Sequence, residues 1–211
     1  MARSQPAEAE DTRQRLLQAG LALARRGGVK ALTVRAVAAR ANANLGSFVH
    51  HFGTRDAFVG ELIERWYAPV FQRLQLTAAG DAPALDALRD ALLQLVAWLV
   101  DNRAFVSQLV LDAGAGEAAA QRFLRSIDTR HPAVLLQLIV RAQHEGSLRR
   151  DEPLHQMLFL MSTLAAPVLM FHLLGQRGMA PPALVQALSS FSTDTEQVRQ
   201  RLGWALRGLA P

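Results

Sequence analysis

Residues 33–55 read Thr33-Val34-Arg35-Ala36-Val37-Ala38-Ala39-Arg40-Ala41-Asn42-Ala43-Asn44-Leu45-Gly46-Ser47-Phe48-Val49-His50-His51-Phe52-Gly53-Thr54-Arg55. Two short helices joined by a tight turn account for this order. Thr33 is placed to cap the first, whose apolar positions are Val34, Val37, Ala38 and Ala41. Asn42-Ala43 supplies the turn, because asparagine tolerates the left-handed backbone region. Asn44 caps the second helix, which is too polar at its start to be core alone. This is the pattern of a helix-turn-helix, whose second helix enters a DNA major groove.

Working outward, a preceding helix is predicted from Asp11 or Thr12 to Arg26. Leu16, Leu17, Leu21 and Ala24 recur there at helical spacing, and Gly27-Gly28 ends it. Met1 to Glu10 is polar and reads as a disordered arm. Downstream, Thr54 caps a long helix beginning at Arg55, in which Phe58, Leu62, Trp66, Val70 and Leu74 repeat every four residues. Pro69 is expected to kink or break it. After a loop over 78–82, Pro83 opens a helix with a stripe of Leu85, Leu88, Leu92, Leu95 and Leu99. Asn102 is read as the cap of the next helix. Further helices are read over Glu117–Asp128, Pro132–Gly146 and Asp151–Gly175, the last bent by Pro167. A loop follows over Gly175–Pro182, and a final helix starts at Thr193-Asp194. No period-two strand pattern and no internal repeat occurs. The expectation is an all-α chain: an arm over 1–11, a three-helix DNA-binding domain over 12–54 and a larger helical effector-binding and dimerisation domain over 55–211.

Composition agrees. The chain has 211 residues, half of them apolar, enough for a sizeable core. It has no cysteine, which excludes disulfides and Cys-ligated zinc and fits a cytoplasmic protein. The run Met157–Leu174 is interrupted by Ser162, Thr163, Pro167 and His172, so no membrane span is read, and the N-terminus lacks the apolar stretch of a signal peptide. The net charge is +5. Residues 1–60 hold nine basic and four acidic groups, whereas 61–211 hold 14 of each, so the whole excess lies beside the helix-turn-helix. A basic patch is the footprint of a polyanion partner. On a small domain it is also an ordinary solvated surface; the coincidence with the motif gives it weight.

Laid out this way, the chain resembles the TetR/AcrR family of transcriptional regulators over about residues 12–66. The resemblance rests on Thr33 opening the second helix, Ala38, the stretch Ala41–Phe52 with Gly46, Ser47, an aromatic at Phe48 and His51-Phe52, and Gly53-Thr54-Arg55. It implies a homodimer whose two reading helices enter successive major grooves of a near-palindromic operator. It also implies a small-molecule effector that moves the fourth helix and releases the DNA. Repression is the usual outcome in the family. The dimer would form through the last two long helices, about 151–175 and 194–209.

Residue roles follow from the same resemblance. Thr33 is placed to bind a phosphate, and Arg35 to reach a base edge, where arginine suits guanine O6 and N7. Asn44, Leu45, Gly46 and Ser47 begin the reading helix; Leu45 suits a thymine methyl, and Gly46 permits close approach. His50 follows, His51 matches a phosphate-contacting position, and Arg55 stands where a phosphate-clamping lysine is usual. Val49 departs from the family's tyrosine and lacks its hydroxyl. The plainer readings are Thr33 as a cap only, Arg35 as solvated surface and Ser47 as a small packing residue. Adjacent His50 and His51 diverge by about 100° on a helix, so no metal site is expected.

The effector is expected to be small and apolar or amphipathic, in a pocket drawn from Trp66, Phe71, Trp98, Phe105, Asp112, Met157, Met161 and His172. The polar members would orient it, although any of the aromatics and methionines also reads as plain core, and His172 as a helix-end or dimer residue. No other cofactor is expected. One alternative is an architectural or activator protein that binds DNA without an effector. A remote one is a nucleotide-dependent enzyme: Gly114-Ala115-Gly116-Glu117-Ala118-Ala119 has the form G-x-G-x-x-A, but it needs a strand before it and a parallel sheet around it.

Overall fold

A computed structural model describes residues 5–176 and 181–211. It is all-α, with no strand among the described residues. The helices are α1 (Gln5–Gly27), α2 (Val34–Arg40), α3 (Leu45–Phe52), α4 (Arg55–Ala79), α5 (Ala84–Gly114), α6 (Ala118–Arg125), α7 (His131–His144), α8 (Pro153–Gln176), α9 (Pro182–Thr193) and α10 (Thr195–Gly208). Single 3₁₀ turns occupy Val29–Ala31 and Ile127–Thr129.

Local chemistry sets most boundaries. Thr33, Asn44, Thr54 and Asp194 each accept a backbone N–H three residues on, at 3.1, 2.7, 3.1 and 3.0 Å, capping α2, α3, α4 and α10. Gly28 (φ 71°) and Gly53 (φ 68°) take backbone conformations that an L side chain resists.

Several elements differ from the sequence expectation. The segment Gln5–Asp11 is helical and belongs to α1, as its Ala, Glu and Gln residues favour. Both α4 and α8 run unbroken through Pro69 and Pro167. Helix α5 continues past Asn102, which caps nothing; its Nδ2 donates back to the Trp98 carbonyl at 2.8 Å. The helix read over Glu117–Asp128 is split into α6 and a 3₁₀ turn. Helix α9 is an element the sequence reading did not assign; Pro182 stands at its first position, where a missing N–H costs nothing. Part of the loop read over Gly175–Pro182 lies outside the described residues.

The chain divides into two compact units, Met1–Ala68 with Ala104–Ser126, and Pro69–Arg103 with Ile127–Pro211. Neither is a single run of sequence, since the divisions fall inside α4 and α5. In the first, α1, α2 and α3 pack on one another. Gly20 of α1 lets that helix lie close against α4: a Cβ there would lie 2.5 Å from Phe58 and 2.6 Å from Leu62.

In the second unit, α8 packs against α7, α9 and α10. Pro167 has no N–H, so the Thr163 carbonyl one turn back lacks its helical donor. Arg201 of α10 replaces it, donating from Nη1 at 2.8 Å. Its guanidinium is buried and lies 4.2 Å from the centre of the Phe191 ring, and burial pushes its pKa down. Pro153–Leu173 is long and apolar enough to cross a membrane (mean hydropathy 1.6); the interruptions noted in the sequence are too few to lower the average of that window. Only a third of it is buried within this chain, and Leu158, Phe159 and Met170 are exposed.

Candidate nucleic-acid interface

Helix α3 has two sides made by its own order of residues. Phe48 and Phe52, one turn apart, point inward and meet Phe58 of α4, with ring centres 5.0 and 4.9 Å from it. All three are buried. This aromatic triangle fixes the rotation of α3 and turns Leu45, Gly46, Val49 and His50 outward, all of them exposed. Ser47 and His51 sit half-buried at the flanks. The cap at Asn44 uses only its Oδ1, so the side-chain N–H groups remain available to an external acceptor. Asn42, at φ 51°, is the only non-glycine residue with positive φ among the described residues, and it makes the turn between α2 and α3.

The elements that precede α3 carry basic groups. Lys30, Arg35 and Arg40 are exposed, and Arg35 and Arg40 make no hydrogen bond or ion pair within the described chain. Arg13 is engaged: it pairs with Glu61 at 2.7 Å and lies over the Phe52 ring. The His51 imidazole has its pKa lowered, first by partial burial and then by the neighbouring His50 and Arg13 charges, with Glu10 opposing. His50 and His51 rings stand edge to face, 5.2 Å apart. Among the described residues no group of three His, Asp or Glu side chains is placed to hold a metal.

Arg55 departs from its expected role as a phosphate clamp. Its guanidinium is turned into the first unit, donating to the Leu32 and Val29 carbonyls at 2.7 Å each and pairing with Glu117 at 2.9 Å. A fork already holding three acceptors has little left for a phosphate. The resemblance placed a charge correctly at this position; the short reach to the 3₁₀ turn redirected it.

The eight effector-pocket candidates do not form one group. Trp66, Phe105 and Asp112 belong to the first unit, and Phe71, Trp98, Met157, Met161 and His172 to the second. Trp66 and Phe105 pack edge to face at 4.4 Å as core. Asp112 is 1% exposed and accepts the N–H groups of Val29 and Lys30, at 2.7 and 3.4 Å, which corrects its reading as a ligand-orienting residue. His172 is half-buried, its pKa lowered by burial and then by Arg103. The second unit does contain a cavity of about 470 Å³, between α5 and the α9–α10 junction. Leu93, Val96, Val100 and Val198 supply its apolar walls, with Asp101 and Arg199 at its polar margin. None of the eight candidates lines it. Sequence reasoning missed it because Leu93 lies outside the leucine stripe read in that helix, and α9 was not assigned.

The G-x-G-x-x-A run falls at the end of α5 and the start of α6, with Gly116 at φ 95°. The preceding Leu109-Val110-Leu111 is helix, so the strand that a dinucleotide site requires is missing.

Comparison with known proteins agrees with this geometry. The sequence pattern described as "Bacterial regulatory proteins, tetR family" matches residues 16–62, which span α1 to the first half of α4. Among solved structures, a putative fatty acid metabolism regulator of Clostridium perfringens superposes with a TM-score of 0.69 at 14% identity, covering 93% of this chain and 99% of that one. A SmeT–triclosan complex gives 0.70 at 21% identity, covering 95% and 92%. The TetR family regulator PfmR of Thermus thermophilus gives 0.66 at 17% identity, covering 93% and 100%. At these identities the likeness is one of fold. No curated protein matches the chain.

Proposed function

We propose that the chain, whose residues 16–62 match the DNA-binding pattern of the TetR family, is a homodimeric repressor of that type. It binds a near-palindromic operator in the cytoplasm and leaves it when a small apolar or amphipathic molecule is bound. The observation that carries the reading is α3 itself: a capped helix, locked by the Phe48–Phe52–Phe58 triangle, presenting Asn44, Leu45, Gly46 and His50 outward, with Ser47 half-buried at its flank. Arg35 reads a base edge, Thr33 adds its hydroxyl at the N-terminus of α2, and His51 meets a phosphate. Val49, exposed, replaces a hydroxyl contact with an apolar one.

The dimer rests on the apolar exposure of the second unit. Leu158, Phe159 and Met170 of α8 and Trp204 of α10 are each about half exposed, and a second copy is the partner that covers such a face symmetrically. The effector reading rests on the cavity of about 470 Å³, whose size suits a small molecule, and on a relative of the same fold solved as a triclosan complex. An architectural protein or an activator without an effector would need no such cavity.

Selection from a random-sequence duplex library tests the reading. It should yield a pseudo-palindrome with half-sites about one helical turn apart or a multiple of it. Recovery of unrelated sequences would reject it.

A further inference from the structure

The turn that joins α1 to α2 is held at both ends by residues far away in sequence. Its N–H groups at Val29 and Lys30 point at the Asp112 carboxylate, near the end of α5. The other carboxylate oxygen accepts the Gln108 Nε2 at 2.9 Å, which fixes the carboxylate plane. The turn's carbonyls at Val29 and Leu32 accept from Arg55, which also grips Glu117 just ahead of α6. Asp112 and Glu117 flank one corner, closed by Glu117 N–H donating to the Asp112 carbonyl at 3.0 Å. Gly28 is what lets the corner come this close: a Cβ there would lie 2.4 Å from both Asp112 Oδ2 and Gln108 Cγ.

Helix α2 has seven residues, too few to hold an orientation unaided. Its entry is this clasped turn, and α3 follows it after a four-residue link. We propose that Asp112, Arg55 and Glu117 are positioning residues for DNA reading: the α5–α6 corner sets the pose of α2 and α3 through the Val29–Ala31 turn. The inference rests on the DNA-binding reading above, and it assigns Arg55 a different task from a phosphate clamp. A clamp needs only a cation, whereas the clasp needs a planar fork that reaches two carbonyls and a carboxylate together.

Arg55→Lys separates the two. It keeps the charge and loses the fork. On a selected duplex, affinity should fall about tenfold while the slope of log K against log salt stays at the wild-type value, because no phosphate contact is removed. Val59→Ala, a buried change elsewhere in the first unit, serves as the stability control and should lose less affinity for the same loss of melting temperature. In free protein, amide chemical shifts in Arg55→Lys and Asp112→Asn should move across Val34–Phe52, beyond the turn itself. Affinity of Arg55→Lys within twofold of wild type, with a slope lowered by about one in Arg55→Gln, would make Arg55 a phosphate contact and overturn the proposal. So would shifts confined to residues 28–32, or an affinity loss equal to that of Val59→Ala at equal stability. If wild-type protein prefers no DNA sequence, the function reading fails, and the shifts across α2 and α3 still decide the clasp.

Discussion

The outward face of α3 and the outward face of α8–α10 are both exposed, and they are exposed in different ways. On α3 the exposed groups are mixed, Leu45 and Val49 beside the Asn44 cap and His50, with an unpaired Arg35 on neighbouring α2, above a buried aromatic triangle. On α8 and α10 they are large and apolar: Leu158, Phe159, Met170 and Trp204. The first surface gains from a polyanion, which supplies charge and hydrogen-bond acceptors. The second gains only from removal of its apolar area from water. On the proposed function the first surface meets DNA and the second a copy of the same chain, so each should be open to damage without the other.

The largest effect lies beneath the first surface. Phe58→Ala removes the shared member of the triangle and should cost about 3–5 kcal/mol of stability in urea unfolding. Loss of DNA binding should follow from loss of fold, with α8–α10 association retained; a loss below about 1 kcal/mol would show that α3 is not held by this triangle. On the second surface, Trp204→Ala should weaken self-association by about 2 kcal/mol or more, seen as monomer in sedimentation at low concentration. Unchanged association would move the dimer contact off α10. On the DNA side, Arg35→Ala should cost about 1–3 kcal/mol at a cognate site and relax base preference. An equal loss on every sequence would demote Arg35 to a phosphate contact.

The smallest effect is a pH dependence. In free protein the His51 pKa lies below its ordinary value of 6.5, mainly through burial. A phosphate beside it favours the imidazolium, so binding DNA takes up a proton. Affinity should strengthen as the pH falls from the higher pKa of the DNA-bound imidazole toward the lowered free-protein value, and level off below that value. His51→Gln should flatten the profile; an identical profile in that variant would place His51 away from the phosphates.

The sequence was most readable where the physics is local. Thr33, Asn44 and Thr54 cap their helices three residues on, so a short window contains the whole interaction. The all-α architecture followed from helical stripes in the same way. Local reading failed at Asn102, where the side chain fits a cap but nothing interrupts the helix around it. It also failed at Pro181-Pro182, where a doublet suited to a loop opens α9 instead. The site was less legible. Asp112 lies 83 residues from Val29, and nothing in either segment names the other. The cavity beside Val198 needs the packing of α5 on the α9–α10 junction, which no periodicity specifies.

The central claim, that α3 and the basic groups on the elements preceding it read a particular DNA sequence, is tested most directly by titrating labelled duplex from upstream of the protein's own gene, and a scrambled duplex of equal composition, at several salt concentrations. The account predicts tighter binding to the natural duplex at every salt, weakening steeply as salt rises. Equal affinity for both duplexes would contradict it.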